Sequence, residues 1–337
     1  MGVRCMKKAV WAVALGLAML ATGSLADGWD PGSRASAQGS ITNTRHNMTM
    51  SYLGAAAIFM SGVRNDYGAV CVYCHTPHGA NKQIDAPLWN RTINNGTYTI
   101  YDRPTTLMRP IGQPGPSSLT CLSCHDGTIA IDSVLNMPGS GWEPTLSGAT
   151  NTETGVSNQS FLGLWKAAGN VGPPNTGPPL GTHRTLGPEL GEGVVTETCA
   201  RCHNGNFSNG PGSFRAFMLG TNLRNDHPVG VIYPETYTPV TDFYEPTVKL
   251  PGKMAFFDDN GNGRADTNEV RLYDSGSGYQ VECASCHDPH GVPSGGVGSR
   301  FNPTFLRINN GIAGNHAGTA GITSDGPSAL CLTCHVK

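Results

Sequence analysis

The hydrophobic pattern contains one long run, Ala9 to Ala21, and after it apolar positions come only in short clusters. Arg4, Lys7 and Lys8 precede the run and Ser24-Leu25-Ala26 follows it, so residues 1–26 read as a secretory signal, with Ala35-Ser36-Ala37 as a second cleavage candidate. No later stretch approaches the ~20 apolar residues needed to span a bilayer, so no membrane anchor is expected. Thr49 to Met60, apolar at Met50, Leu53, Ala57 and Ile58, has the spacing of one helix or of a packed loop. Tyr98 to Tyr101, Gly230 to Tyr233 and Val270 to Tyr273 read as short strands.

Composition explains the weak periodicity. Gly and Pro number 45 and 24, about a fifth of the 337 residues, while charged residues are 14% and hydrophobic ones 38%. Neither a charged disordered tail nor a large aliphatic core fits those shares. Something other than side chains must fill the interior. Without the signal's three cations, 19 basic residues face 24 acidic ones, a net of −5 that makes nucleic acid an unsuitable partner.

The cysteines supply the missing filler. Apart from Cys5, all ten fall in one pattern, C-x-x-C-H: Cys71, Cys74 and His75; Cys121, Cys124 and His125; Cys199, Cys202 and His203; Cys283, Cys286 and His287; Cys331, Cys334 and His335. This is the attachment pattern of haem c, in which two thiols add to the porphyrin vinyl groups and the following histidine binds the iron. A single CxxC also suits zinc or a redox dithiol, and ten exported cysteines also suit five disulfides. Five motifs in register with no cysteine left over favour five haem c groups. The fold class expected is therefore a haem-organised, mostly irregular, coil-rich multihaem cytochrome c with short helices, one starting at each motif, and a few short strands and hairpins.

The first cysteines of the motifs are spaced by 50, 78, 84 and 48 residues, and the outer gaps match in content as well. CVYCHTPHG from Cys71 and CASCHDPHG from Cys283 are each followed by INNG, from Ile93 and Ile308, and then by CLSCH or CLTCH. Two copies of a two-haem unit are expected, at 27–139 and 216–337. A Gly/Pro-rich segment at 140–215 joins them and carries the third motif.

Eleven histidines less five proximal ones leave six for five distal positions. Saturation by histidine on both faces gives a low-potential iron suited to electron transfer rather than catalysis. The expected distal ligands are His46, His78, His183, His227 and His290, with His316 left over in a Gly-rich loop. His78 and His290 follow a proximal histidine by three residues, too close to reach the far face of their own haem, so each must serve an adjacent one.

Asp258 to Glu269 fits D-x-[DN]-x-[DN]-G-x5-E at every specified position. It offers a calcium ion Asp258, Asn260, Asn262, the Arg264 carbonyl, Asp266 and Glu269. The flanks, Met254 to Phe257 and Val270 to Tyr273, read as strands rather than EF-hand helices, so an ion-free hairpin turn rich in Asx residues is the alternative.

ITNTRHN from Ile41, APLWN from Ala86, CLSCHDGT from Cys121, DHPVG from Asp226 and the terminal CLTCH together resemble the extracellular multihaem cytochromes of metal-reducing bacteria, closest to the OmcE type. The likeness covers about two-thirds of the chain. It departs from the family's four haems at the Cys199 to His203 motif. It implies a secreted, bis-histidine cytochrome polymerised head to tail into a filament, with a histidine near one subunit's N-terminus, here His46, ligating a neighbour's haem. The function expected is long-range electron transfer at the cell exterior. A discrete periplasmic or surface carrier is the alternative, and a multihaem reductase the third, disfavoured because no motif ends in Lys.

Overall fold

The structure is a computed structural model describing residues 41–48, 69–103, 109–136, 184–187, 198–201, 203–204, 213, 215–235, 242–293, 302–308 and 329–336. The signal, the Thr49 to Met60 segment, Cys202, His183, His316 and most of the 140–215 segment lie outside the described residues.

Helix α1 (Pro116–His125) contains the second haem motif, α2 (Cys283–Cys286) the fourth, and α3 (Ala329–Cys334) the fifth. The first and third motifs open as single 3-10 turns, Cys71–Tyr73 and Cys199–Arg201. The second and fifth motifs end helices instead of starting them. In α1 the reason is local: Pro116 sits near the start, where its missing N–H costs nothing, and Gly127 follows the end at φ +74°.

Strands β1 (Val231–Ile232), β2 (Val248–Leu250), β3 (Met254–Phe256), β4 (Arg271–Asp274) and β5 (Tyr279–Val281) form one antiparallel sheet in the order β1-β5-β4-β3-β2. Two expected strands are present: Gly230 to Tyr233 is shortened to β1, and Val270 to Tyr273 is displaced by one residue as β4. Tyr98 to Tyr101 forms only an isolated bridge, Thr99 to Asn222. Tyr233, Ala255, Phe257, Val270 and Leu272 on the sheet bury against Ala329 of α3 and Ile308. A smaller cluster, Tyr98, Leu122 and Leu223, backs α1.

The sheet is joined to the N-terminal unit at Gly230. Gly112 N–H donates to its carbonyl (2.9 Å), and its φ is +74°. A Cβ there would stand 2.7 Å from the carbonyls of Gly112 and Gln113, so only glycine permits this approach. Among the described residues no helix is long and apolar enough to cross a membrane.

Candidate functional site

The two copies of the repeat share one hydrogen-bonded frame around their first motif. In the first, His75 Nδ1 bonds to the Pro87 carbonyl (2.8 Å), Thr76 N–H donates to Leu88 O, and Asn90 N–H donates to Cys74 O. In the second, His287 Nδ1 bonds to Thr304 O (2.8 Å), Asp288 N–H donates to Phe305 O, and Arg307 N–H donates to Cys286 O. The side chains follow suit: Asn90 Nδ2 donates to Val72 O and Arg307 Nε to Ala284 O, each to the residue after the first cysteine. Leu88 and Phe305, which aim equivalent carbonyls, both have left-handed backbones, at φ 52° and 63°. Non-glycine residues adopt that region at a cost of about 1–2 kcal/mol, so its recurrence in both copies marks a turn that the motif requires.

Two pairs of imidazoles face each other. His75 and His290 lie with ring centres 6.3 Å apart and planes 15° from parallel; His46 and His125 lie 6.2 Å apart with planes at 68°. An imidazole centre is about 1.1 Å from its nitrogen and a metal–imidazole bond about 2.0 Å, so two rings on opposite faces of one iron stand about 6.2 Å apart. Both pairs have that spacing. Each contains one motif histidine and one histidine assigned as distal from sequence.

In six histidines, the four of these pairs among them, Nδ1 has a partner. Nδ1 of His46 bonds to Pro289 O (2.9 Å), of His75 to Pro87 O, of His125 to Phe217 O (2.7 Å), of His287 to Thr304 O, of His227 to Pro228 O (3.0 Å), and of His290 to Asp288 Oδ1 (3.1 Å). A hydrogen bond at Nδ1 fixes the tautomer that leaves Nε2 as a lone-pair donor, the usual support of a metal-bound histidine. Burial pulls the His46 ring down to about 4, and burial also lowers His125, so these rings are neutral and available as ligands near neutral pH. His290 is raised, by its bond to Asp288. His46 also stacks on Phe305 at 4.2 Å, so the left-handed turn of the second repeat positions a ligand opposite a motif of the first.

The thiols converge as well. None of the nine described motif cysteines is in a disulfide. Cys121 and Cys283 lie within hydrogen-bonding reach of each other, because α1 and α2 meet at their N-terminal ends. One carboxylate joins those ends. Glu282 accepts from Gly115 N–H (3.1 Å) and from the Ser118 hydroxyl, and it caps α2 together with Ser285, while Cys283 N–H donates to Ser118 Oγ (2.9 Å). Burial pushes the Glu282 carboxyl up to about 7. Arg91, fully buried, was not singled out from sequence. Its five N–H bonds go to Ser123 Oγ and to the carbonyls of Ser123, Ala130, Ile131 and Ser133, clamping the second motif to the loop that follows it. A lone arginine before INNG carries no sequence signal of that role.

Other expected ligands stand apart. His78 and His227 are exposed and face no motif histidine among the described residues. His287 is exposed too, with no second histidine across from it among those residues. His335 lies against Phe243 at 4.9 Å. His203 keeps its place in the third motif, its N–H on Cys199 O. The His46 ring lies opposite His125 and is held by Pro289 and Phe305 of the second repeat.

The calcium-type loop connects β3 to β4, the strand flanks read from sequence. Asp258 accepts from the N–H groups of Gly261, Asn262 and Gly263, Asp266 from the amides of Asn260 and Asn262, and buried Glu269 from the N–H groups of Asp259 and Asp266. Arg264 N–H turns to Asn262 Oδ1. Burial and the nearby Glu269 and Asp258 raise Asp259 to about 6. Among the described residues no group of three or more His, Cys, Asp or Glu side chains converges as a metal site. The donor set of the loop is nonetheless all oxygen, the type a hard cation takes.

The chain matches no protein-family model and no curated protein.

Proposed function

We propose that the chain is a secreted pentahaem c-type cytochrome that carries electrons through bis-histidine haems as a subunit of an extracellular filament. The observation that carries the reading is the pair of facing imidazoles at 6.2 and 6.3 Å, each beside a C-x-x-C motif and each ring braced at Nδ1. When bound, haem c supplies reversible one-electron chemistry at iron. The chain's own residues do the rest. His75 with His290, and His46 with His125, would fill both axial positions of the first two haems and leave no open site for a substrate. Glu282 and Ser118 hold the second and fourth attachment sites together, and His287 and His290, three residues apart, tie the fourth to the first.

The repeat also supports a contact for polymerisation. His290 of the second unit faces His75 of the first. Its counterpart in the first unit is His78, and the counterpart of His75 is His287; both are exposed. Repeating the same relation between chains brings His78 of one copy opposite His287 of the next, a heterologous contact, the type that builds a filament when its rotation closes no ring. His46, engaged inside its own chain, is then not the joining residue.

The test is electron microscopy with size-exclusion chromatography of the secreted, haem-loaded protein, whose haem is counted as the pyridine haemochrome. Five haems and filaments are expected. Five haems in a single monomeric peak would replace the filament by a discrete carrier, and a count below five would overturn the pentahaem reading.

A further inference from the structure

The ring nitrogens that brace the two facing pairs are not chemically equal. His75, His46 and His125 give their Nδ1 hydrogen to the neutral carbonyls of Pro87, Pro289 and Phe217. His290 instead bonds to a carboxylate, Asp288 Oδ1 at 3.1 Å, and that same oxygen accepts the His290 backbone N–H at 3.0 Å. Asp288 is 6% exposed, and its other oxygen takes Arg307 NH1 at 3.2 Å. Arg307 is buried and fixed in turn by Ala284 O and Thr267 O, so the carboxylate cannot rotate away from the ring. The first repeat lacks the device. Thr76 stands where the second repeat has Asp288, and its hydroxyl donates to the His78 carbonyl rather than bracing the ring.

Resting on the haem reading above, we propose that Asp288 is a positioning residue that sets the potential of the first haem. By drawing the Nδ1 proton of His290 it makes that ligand more electron-donating, which stabilises the oxidised iron and places this haem below the second in potential. The lever is hydrogen bonding to an axial ligand, with its ionic partner fixed by a second buried charge. The step is a single electron arriving from a one-electron donor such as dithionite through mediators. No bond forms or breaks, and the Nδ1 proton stays between His290 and Asp288.

The test is a potentiometric titration, followed by electron paramagnetic resonance, of the haem-loaded wild type and the Asp288→Asn variant. Asparagine keeps an acceptor oxygen and removes the charge. The two haems are separable because nearly parallel axial rings give a rhombic low-spin spectrum and crossed rings a strongly anisotropic one; the rhombic signal is assigned as the one that His290→Met removes. At the wild-type midpoint of that haem, Asp288→Asn is expected to raise the reduced-to-oxidised ratio about tenfold, or about 59 mV for a one-electron couple. The anisotropic signal of the His46–His125 haem is expected to stay in place. Five haems with an unmoved rhombic signal would overturn the proposal alone, as would an equal rise in all haems, which marks a bulk charge effect. If the variant does not load five haems, the wild type decides: the rhombic signal must persist to lower potential than the anisotropic one, and the opposite order overturns the proposal. A wild-type haem count below five would instead remove the haem reading itself.

Discussion

At the scale of single residues, the clearest division is between side chains that present a ligand and those that aim it. His46 presents one: neutral, half-buried and stacked on Phe305, it faces His125 at 6.2 Å. His46→Ala is expected to turn the second haem high-spin while leaving polymerisation intact, read by electron paramagnetic resonance beside microscopy. Loss of filaments with unchanged spin state would return His46 to the subunit contact. Leu88 aims one, at φ 52°, with a side chain largely exposed. Leu88→Gly removes the left-handed penalty with little loss of packing, so a gain of up to about 1 kcal/mol in urea unfolding is expected. The motif histidines were legible in the sequence because each follows its cysteine pair at one fixed spacing. Arg91 and Asn90 were not, because their roles depend on which carbonyls the chain brings to them from 18 to 46 positions away; nor was Leu88, whose carbonyl matters only because Thr76 N–H is folded onto it.

At the scale of elements, the junction of α1 and α2 shares one carboxylate between two helix starts. Glu282 is uncharged in part near neutral pH because burial raises it from 4.5 to about 7. A carboxyl raised on folding favours the folded state most fully below its unfolded value, and that contribution is lost as pH rises through the folded value. Stability is therefore expected to fall between about pH 4.5 and 7 through this group, and Glu282→Gln to flatten that part of the profile in holoprotein denaturation. A profile unchanged by the substitution would show that the carboxyl stays ionised between the two helices. The β3–β4 loop is the second testable element. Its spacing offers the oxygens of Asp258, Asn260, Asn262, Asp266 and Glu269 along twelve residues, so calcium is expected to raise the unfolding temperature of chelator-treated protein, and Asp258→Asn to abolish that rise. An unaltered transition would favour a turn sustained by its own amide bonds. Strand flanks here followed from alternation alone. The helices that end on motifs did not, because the residues before the second motif carry no breaker until Pro116.

At the scale of the whole molecule, the second repeat lends residues to the first: Pro289, Phe305 and His290 complete positions opened by His46 and His75. The internal repeat was legible as matching spacings, but its exchange of ligands was not, since sequence cannot say which unit a histidine three residues past a motif will serve. If chains exchange ligands as repeats do, His78→Ala is expected to leave five haems and dissolve filaments into monomers, measured by sedimentation. Intact filaments would place the join elsewhere. One contact within the molecule has a further consequence, for manufacture rather than for conduction. Cys121 and Cys283 touch across the α1–α2 junction, yet the chain is delivered from its N-terminus, so Cys121 emerges long before its neighbour. In an oxidising compartment two bare thiols brought together there are able to crosslink, which would seal both attachment sites. On the haem reading proposed above, haem would have to reach the second motif while the fourth is still arriving, and a chain exported without its ligation machinery is expected to accumulate as a covalently misjoined loop closed between those two cysteines.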